Sequence, residues 1–167
     1  MKIGDVLYYP LFGAGEIVGL NTKEFDGEDL LYCTFDVKLS KMKMQFPVKS
    51  KEVLHIREIT DLEKIRKALT ESKKDSYIYD SNWNRRYQRE LQLLTEGTIE
   101  AVAGTIINFY YMQNERELSS GEKQLLKTAE NLTISEIMFS ENKDFDDAKL
   151  LFDSMLEEVL CKKNCTT

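Results

Sequence analysis

The sequence predicts an α+β fold in which a small β-barrel is followed by an all-helical bundle. Up to about residue 59, apolar residues recur at alternate positions within short segments, which is the spacing of β-strands. From Asp61 onward the spacing changes to about 3.6 residues, the period of an amphipathic helix. Capping residues precede several of the helical segments, so the change of period marks a boundary between two kinds of architecture.

The first part of the chain contains five strand-like segments joined by short turns. Gly13-Ala14-Gly15, Asp26-Gly27 and Leu39-Ser40-Lys41 are predicted to reverse the chain. No helix is predicted after the first of these, so we interpret its glycines as turn geometry rather than as a phosphate loop. Five short, bent strands in so few residues are typical of an SH3-like or Tudor-like barrel. The predicted strands span residues 5–9, 16–20, 30–37, 42–46 and 53–59.

The second part is predicted to contain five helices. Asp61 and Asp144 are N-cap residues for the first and last, and Ser119 with Glu122 forms a capping box for the fourth. The boundary between the two parts has no Gly/Ser-rich or Pro-rich linker, so we expect two domains packed at a fairly fixed angle. The predicted division is a barrel over residues 1–60, a helical domain over 61–141, and an extra C-terminal helix and tail over 142–167.

Composition excludes several classes of protein. The chain has 167 residues and a net charge of −6, which argues against a protein that coats nucleic acid nonspecifically. No apolar run approaches membrane-spanning length and the N-terminus lacks the apolar core of a signal peptide, so we expect a cytoplasmic protein with no membrane partner. In that compartment Cys33, Cys161 and Cys165 stay as thiols.

Catalytic and metal-binding patterns are missing from the sequence. The single histidine, His55, has no obvious cysteine partner and no Ser/His/Asp set is present. The carboxylates are scattered at the spacing of solvent-exposed helix faces. We therefore expect no enzyme activity, no cofactor and no metal site.

The positive charge of this acidic chain is concentrated in one segment. Residues 64–89 contain eight Lys and Arg against three Asp and Glu, a local net charge of +5. The only tryptophan, Trp83, lies in the same segment, with Arg85, Arg86 and Arg89 beside it. An aromatic ring flanked by guanidinium groups suits an unstacked base step next to phosphates. The alternative is that Trp83 opens the apolar stripe of its helix and is a core residue.

Several short motifs in fixed order resemble the CarD/CdnL-like bacterial transcription regulators. Each fragment alone is weak evidence, but their order and spacing over about residues 1–141 are hard to obtain by chance. The carriers are Ile3-Gly4-Asp5, Tyr9-Pro10, Gly13-Ala14-Gly15, Phe46-Pro47, Asn82-Trp83-Asn84-Arg85-Arg86-Tyr87, Val102-Ala103 and Leu118-Ser119-Ser120-Gly121-Glu122-Lys123-Gln124-Leu125-Leu126.

The resemblance implies a regulator that acts on RNA polymerase. The barrel is expected to dock on the β-subunit lobe by strand-to-strand pairing. The helical domain is expected to reach promoter DNA at the upstream fork of the transcription bubble, where Trp83 wedges at the minor groove and stabilises the open complex. Arg85 and Arg86 would hold phosphates, and Asn82 and Arg89 complete the predicted DNA-contacting set.

The chain departs from its relatives at some of these positions. Phe12 stands where the family commonly has histidine, and Gln88 replaces a basic residue found in some relatives. Lys23 and Gln45 occupy two positions where some relatives use arginine toward polymerase. Lysine keeps the charge without the bidentate fork, and glutamine loses the charge, so polymerase docking is supported more by the fold than by these side chains.

One further function class stays open at this point. A protein–protein adaptor would use the barrel for polymerase or another partner and the helical bundle for a further protein, without direct DNA contact. The net charge of −6 and the uncharged Gln88 favour this alternative. The environment of Trp83 discriminates the two, because a wedge requires an exposed indole.

Overall fold

The structure, a computed structural model, describes residues 1–72 and 82–164. Its first part is built from strands and its second from helices, which confirms the predicted fold class. Among the described residues the strands are β1 (Val6–Tyr9), β2 (Gly13–Phe25), β3 (Glu28–Val37), β4 (Lys43–Pro47) and β5 (Arg57–Glu58), with a 3-10 turn at Val48–Ser50. The helices are α1 (Leu62–Glu71), α2 (Trp83–Glu96), α3 (Ile99–Glu115), α4 (Ser120–Ser140) and α5 (Phe145–Asn164).

The five strands form one antiparallel sheet in the order β4, β3, β2, β1, β5. This order, with a 3-10 turn before the last strand, is that of a small Tudor-like barrel. A change of register between Ile17 and Gly19 bends the long β2 over the core. Asp26 and Gly27 adopt φ angles of 54° and 78°, which confirms the predicted hairpin turn. The buried core consists of Leu7, Ile17, Cys33, Phe35, Val37, Phe46 and Ile56.

Two predictions about the strands are wrong. Gly13-Ala14-Gly15 does not form a turn, because these residues begin β2 and pair with β1. The reversal lies just before them, at Leu11, whose φ angle is 66°. The fifth strand is limited to Arg57–Glu58, because the chain forms a turn before it and His55 adopts a φ angle of 53°.

The helices begin where the capping residues predict. Asp61 accepts a hydrogen bond from the N–H of Lys64 at 2.9 Å, and Asp144 accepts one from the N–H of Asp147 at 2.9 Å. The division of the chain at residues 60 and 141 stays a prediction, but helices on both sides of residue 141 share one core. The apolar side chains that α5 contributes to that core are Ala148, Phe152, Met155, Leu156 and Val159.

A buried ion pair joins the barrel to the bundle. Arg57 of β5 donates two hydrogen bonds to the carboxylate of Glu136 on α4, each at 2.8 Å, and a third to the carbonyl of Gly97 at 2.7 Å. The backbone N–H of Thr60 donates to the same carboxylate at 2.6 Å. The Arg57 guanidinium also lies 3.9 Å from the ring centroid of Tyr8, a β1 residue whose side chain belongs to the bundle core. Glu136 is only 1% exposed, so its charge is matched by these donors rather than by water.

Close backbone contacts reinforce this junction. A Cβ atom on Gly97, whose φ angle is 69°, would lie 2.6 Å from Pro10, so only glycine fits there. The N–H of Ala14 donates to the hydroxyl of Ser135 at 2.8 Å, and a Cβ on Gly13 would lie 2.7 Å from the same oxygen. The barrel and the bundle are therefore held in one orientation by matched charges and by tight packing.

We predict that Arg57→Met destabilises the chain by about 3 kcal/mol, because it leaves the buried Glu136 carboxylate without its main partner. The control is Arg66→Met, which removes an ion pair to Glu158 of similar length, 2.9 Å, but on the surface. That variant should lose less than about 1 kcal/mol. Urea unfolding measures both. Equal losses would show that the junction pair contributes no more than a surface pair.

Candidate nucleic-acid interface

Trp83 is the first residue of α2 and lies at the surface of the bundle. Asn82 caps the helix by accepting a hydrogen bond from the N–H of Arg85 at 3.2 Å. The indole is 42% exposed and stacks on Tyr87, with ring centroids 5.4 Å apart and an interplanar angle of 26°. Leu94, at the other end of the stripe, is fully buried. The apolar stripe therefore runs from the core out to a partly exposed aromatic pair.

The indole is held in place by the first turn of α4. Its Nε1 donates a hydrogen bond to the hydroxyl of Ser119 at 2.9 Å. The capping box predicted here is present: the Ser119 hydroxyl accepts from the N–H of Glu122, and the Glu122 carboxylate accepts from the N–H of Ser119. A Cβ on Gly121 would lie 3.3 Å from the Trp83 ring and 3.4 Å from the Tyr87 ring. The missing side chain at Gly121 lets the aromatic pair lie directly on the helix.

A buried carboxylate organises the residues below the aromatic pair. Glu122 is completely buried and accepts hydrogen bonds from Arg116 at 2.7 Å and from Arg86 at 3.2 Å. Burial alone would raise the pKa of this carboxyl, but hydrogen bonds from Arg116 and Ser119 outweigh it and lower the pKa to about 2. Glu122 thus stays ionised and ties α2 to the start of α4.

The predicted DNA-contacting residues divide into two groups. Trp83, Asn82 and Arg85 lie at the surface. Arg86 is only 6% exposed, which is at odds with the expected phosphate contact, and its guanidinium instead pairs with Glu122. Arg89 is half-buried and pairs with the adjacent Glu90 at 2.7 Å. In the structure Trp83 and Arg85 are therefore exposed, whereas Arg86 is buried against Glu122. Of the basic segment, Lys73 and Lys74 lie outside the described residues.

The two residues predicted to face polymerase lie together on the barrel. The Lys23 ammonium donates to the side-chain oxygen of Gln45 at 2.6 Å and lies 5.1 Å from the ring centroid of Tyr32. Gln45 in turn donates to the hydroxyl of Thr34 at 3.1 Å. Gln45 belongs to β4, which ends the strand order of the sheet. Lys23 and Gln45 thus form one exposed polar cluster beside an edge strand.

Sequence reasoning missed the contacts that connect these residues. Ser119 and Glu122 were recognised as a helix cap, but nothing local indicates that Ser119 also binds Trp83 or that Glu122 binds Arg86. Arg57 and Glu136 were not singled out, since a charged residue on a strand or helix is most often exposed. Glu136 follows Leu132 by four residues and Ala129 by seven, which puts it on the apolar face of the helix, and this spacing is the signal that could have indicated a buried charge.

Two chemical possibilities have no support in the described part of the chain. No group of three or more His, Cys, Asp or Glu side chains there is arranged to hold a metal ion. None of the helices in residues 1–72 and 82–164 is both long and apolar enough to cross a membrane.

Cys33 is buried in the barrel core, where burial raises the pKa of its thiol, and Cys161 is an exposed free thiol. Cys165 lies outside the described residues.

The structure thus has an exposed aromatic pair on the bundle and an exposed polar cluster on the barrel. Residues 64–153 match the family model described as CarD, C-terminal domain. This match covers more than half of the sequence, and the chain belongs to the CarD family. It is thereby a CarD/CdnL-like transcription regulator.

Individual proteins are also similar to parts of the chain. The chain is 29% identical over 139 residues to the Bacillus subtilis (strain 168) protein named "Putative transcription factor YdeB", covering 81% of this chain and 89% of that protein. It is also similar to the solution NMR structure of the 72-residue N-terminal domain of Myxococcus xanthus CarD, at 21% identity with a TM-score of 0.31. That similarity covers 35% of this chain and 77% of the solved one.

The lowered pKa of Glu122 predicts an acid-dependent loss of stability. In the unfolded chain the carboxyl returns to its ordinary pKa of 4.5, against about 2 in the folded chain. The unfolded state therefore takes up the proton first, and the stabilisation present above pH 4.5 is lost as the pH falls toward about 2. The stability advantage of the wild type over Glu122→Gln should shrink across this interval in urea titrations. Glu117→Gln, at an exposed ion pair, should show little such change.

Ser119 gives a second prediction, on the orientation of the indole. Ser119→Ala removes the acceptor of the Trp83 N–H, so the emission of this single tryptophan should shift to longer wavelength and acrylamide should quench it faster. Ser119→Thr keeps the hydroxyl and should preserve both properties. The matched control is Thr98→Ala, which removes another N-cap hydroxyl. Both alanine variants should lose about 1 kcal/mol of stability, but only Ser119→Ala should alter the emission. An unchanged spectrum would contradict the proposed positioning.

Proposed function

We propose that the chain binds the β-subunit lobe of RNA polymerase through its barrel and stabilises the open promoter complex by wedging Trp83 at the upstream edge of the bubble. The observation that carries this proposal is the partly exposed indole, 42% accessible, braced by Tyr87 and Ser119. A core tryptophan would be enclosed by the bundle. An indole on a rigid support with one side open to solvent is suited to a contact with something outside the chain.

The energetics of such a wedge are favourable. Opening a duplex costs a few kcal/mol per unstacked base step. A base stacked on an aromatic side chain recovers about 1–3 kcal/mol. Because Tyr87 and Ser119 fix the ring in the free protein, little conformational entropy remains to be lost when DNA is contacted. Arg85, exposed in the first turn of α2, would contact a phosphate near the ring.

The barrel supplies the second half of the proposal. β4 ends the strand order, and strand addition at such an edge is a recurring mode of protein recognition. The cluster of Lys23 and Gln45 lies beside this edge and would set the register of an added strand. Attachment to polymerase also raises the local concentration at the promoter, which a chain with a net charge of −6 needs in order to contact DNA.

The test is the lifetime of open complexes formed by a bacterial polymerase with no added protein, with the wild type and with Trp83→Ala. The wild type should lengthen the lifetime. Trp83→Ala should still bind polymerase but should lose most of that effect, because it removes a base-stacking contact worth about 1–3 kcal/mol. Leu150→Ala is the matched control, because it truncates another exposed apolar side chain of the bundle. It should behave as the wild type.

A different outcome would support the adaptor alternative. If both the wild type and Trp83→Ala bind the β lobe and neither changes the lifetime, direct DNA contact is wrong. If neither binds polymerase, the barrel has another partner and the proposal fails at its first step.

A further inference from the structure

The polar atom of the Trp83 side chain is already engaged within the chain. An indole has one hydrogen-bonding group, the Nε1–H, which can donate but cannot accept. In the structure this N–H donates to the hydroxyl of Ser119 at 2.9 Å. In this arrangement the indole contacts an external molecule without a hydrogen bond of its own to offer.

The Ser119 hydroxyl has its full set of hydrogen bonds. A hydroxyl can donate one hydrogen bond and accept two. That of Ser119 donates to the Glu122 carboxylate at 2.9 Å, and it accepts from the Glu122 backbone N–H at 3.3 Å as well as from the indole. Because this carboxylate is ionised, it polarises the hydroxyl and makes its oxygen a stronger acceptor for the indole N–H. The indole, the hydroxyl and the carboxylate thus form one connected chain of hydrogen bonds.

Packing holds the same edge of the indole against the protein. A Cβ atom on Gly121 would lie 3.3 Å from Cζ2 of Trp83, a ring carbon on the Nε1 side of the indole. Tyr87 covers one face of the ring, with the two centroids 5.4 Å apart. Trp83 is nevertheless 42% exposed. The part of the ring that remains for an external contact is therefore hydrocarbon.

An indole with an unengaged N–H would discriminate between bases. The minor groove presents acceptors at N3 of adenine and O2 of thymine, whereas guanine adds an amino group that is a donor. A donor at the fork would therefore favour A·T pairs. Moving the Trp83 N–H from Ser119 to a base exchanges one neutral hydrogen bond for another and removes a donor from the Ser119 oxygen. An acceptor on the base thus adds no net stabilisation.

We propose that Ser119 withholds the indole N–H from DNA, so that Trp83 stabilises the upstream fork as a hydrocarbon ring and requires no hydrogen-bond acceptor on the base it stacks against. This inference rests on the proposed function. The ligand of the ring is then any unstacked base, since every base has a π-face. Selection among promoters comes from the cost of unstacking the fork, which depends on the base step. Ser119 is thus a positioning residue that makes the contact tolerant of sequence.

The test measures how many-fold the chain lengthens the lifetime of open complexes on promoters with and without a minor-groove acceptor. Replacing adenine by 3-deazaadenine removes the N3 acceptor and keeps base pairing and stacking. Two promoters place this adenine on one strand or the other at the upstream fork, and each lifetime is divided by that of the same promoter without added protein. The wild type should lengthen the lifetime equally with adenine and with 3-deazaadenine.

Ser119→Ala should create the dependence that the wild type lacks. Its indole N–H has lost the serine acceptor and gains one on the base, so 3-deazaadenine should reduce the lengthening by about threefold on at least one of the two promoters. Ser119→Thr keeps the hydroxyl and should behave as the wild type. The matched control is Thr98→Ala, which removes another N-cap hydroxyl and should show no dependence on the base.

Two outcomes would overturn the inference alone. A smaller lengthening with 3-deazaadenine in the wild type would show that the indole donates to the base. Equal lengthening by Ser119→Ala with both bases would show that Ser119 has a purely structural role, which lowers the two values alike. If the wild type does not lengthen the lifetime even with adenine, the proposed function fails and the inference fails with it.

Discussion

The orientation of the two parts depends on the ion pair between Arg57 and Glu136. Burying a carboxylate this completely costs free energy unless several hydrogen-bond donors surround it. Here the donors come from the barrel and from the segment that precedes α1, rather than from water. Moving the barrel relative to the bundle would break the two Arg57 bonds and the Thr60 bond together. The pair therefore acts less as a source of stability than as a constraint that admits one arrangement. In a protein proposed to bridge polymerase and DNA, that constraint fixes the distance between its two surfaces.

Helix α4 is the element through which both surfaces are organised. Glu122 in its first turn binds Arg86 and supports the aromatic pair of α2, while Glu136, about four turns further along, binds the barrel. Each carboxylate is almost fully buried and each is satisfied by arginine, whose planar fork suits such a site. One continuous helix thus joins the aromatic pair of α2 to the barrel, with no linker between the two contacts.

How far the sequence predicts this structure depends on the range of each interaction. Caps such as Asp61 and Ser119 with Glu122 were predicted correctly, because the partner lies only three residues away and the chemistry is local. The start of β2 was misplaced, because Gly13 serves the close approach of Ser135 rather than a turn. Arg86 was expected to hold a phosphate because of the resemblance, and the sequence could not indicate its burial, since its partner Glu122 lies 36 residues away. The expectation that Trp83 is available for a DNA contact came from the resemblance, because the apolar stripe alone favoured a position in the core.

The support of the aromatic pair on α2 comes from residues further along the chain. Trp83 and Arg86 each meet a partner 36 residues downstream, so α3 must first be folded back to bring the beginning of α4 beside α2. The conformational entropy of closing this loop is lost before the contacts that stabilise the closed chain can form. A chain still emerging from the ribosome, or one whose bundle has opened, would therefore not present a braced indole. The contacts with α4 that hold the indole in place form only when the bundle has folded. A braced aromatic pair is therefore present only in the folded bundle.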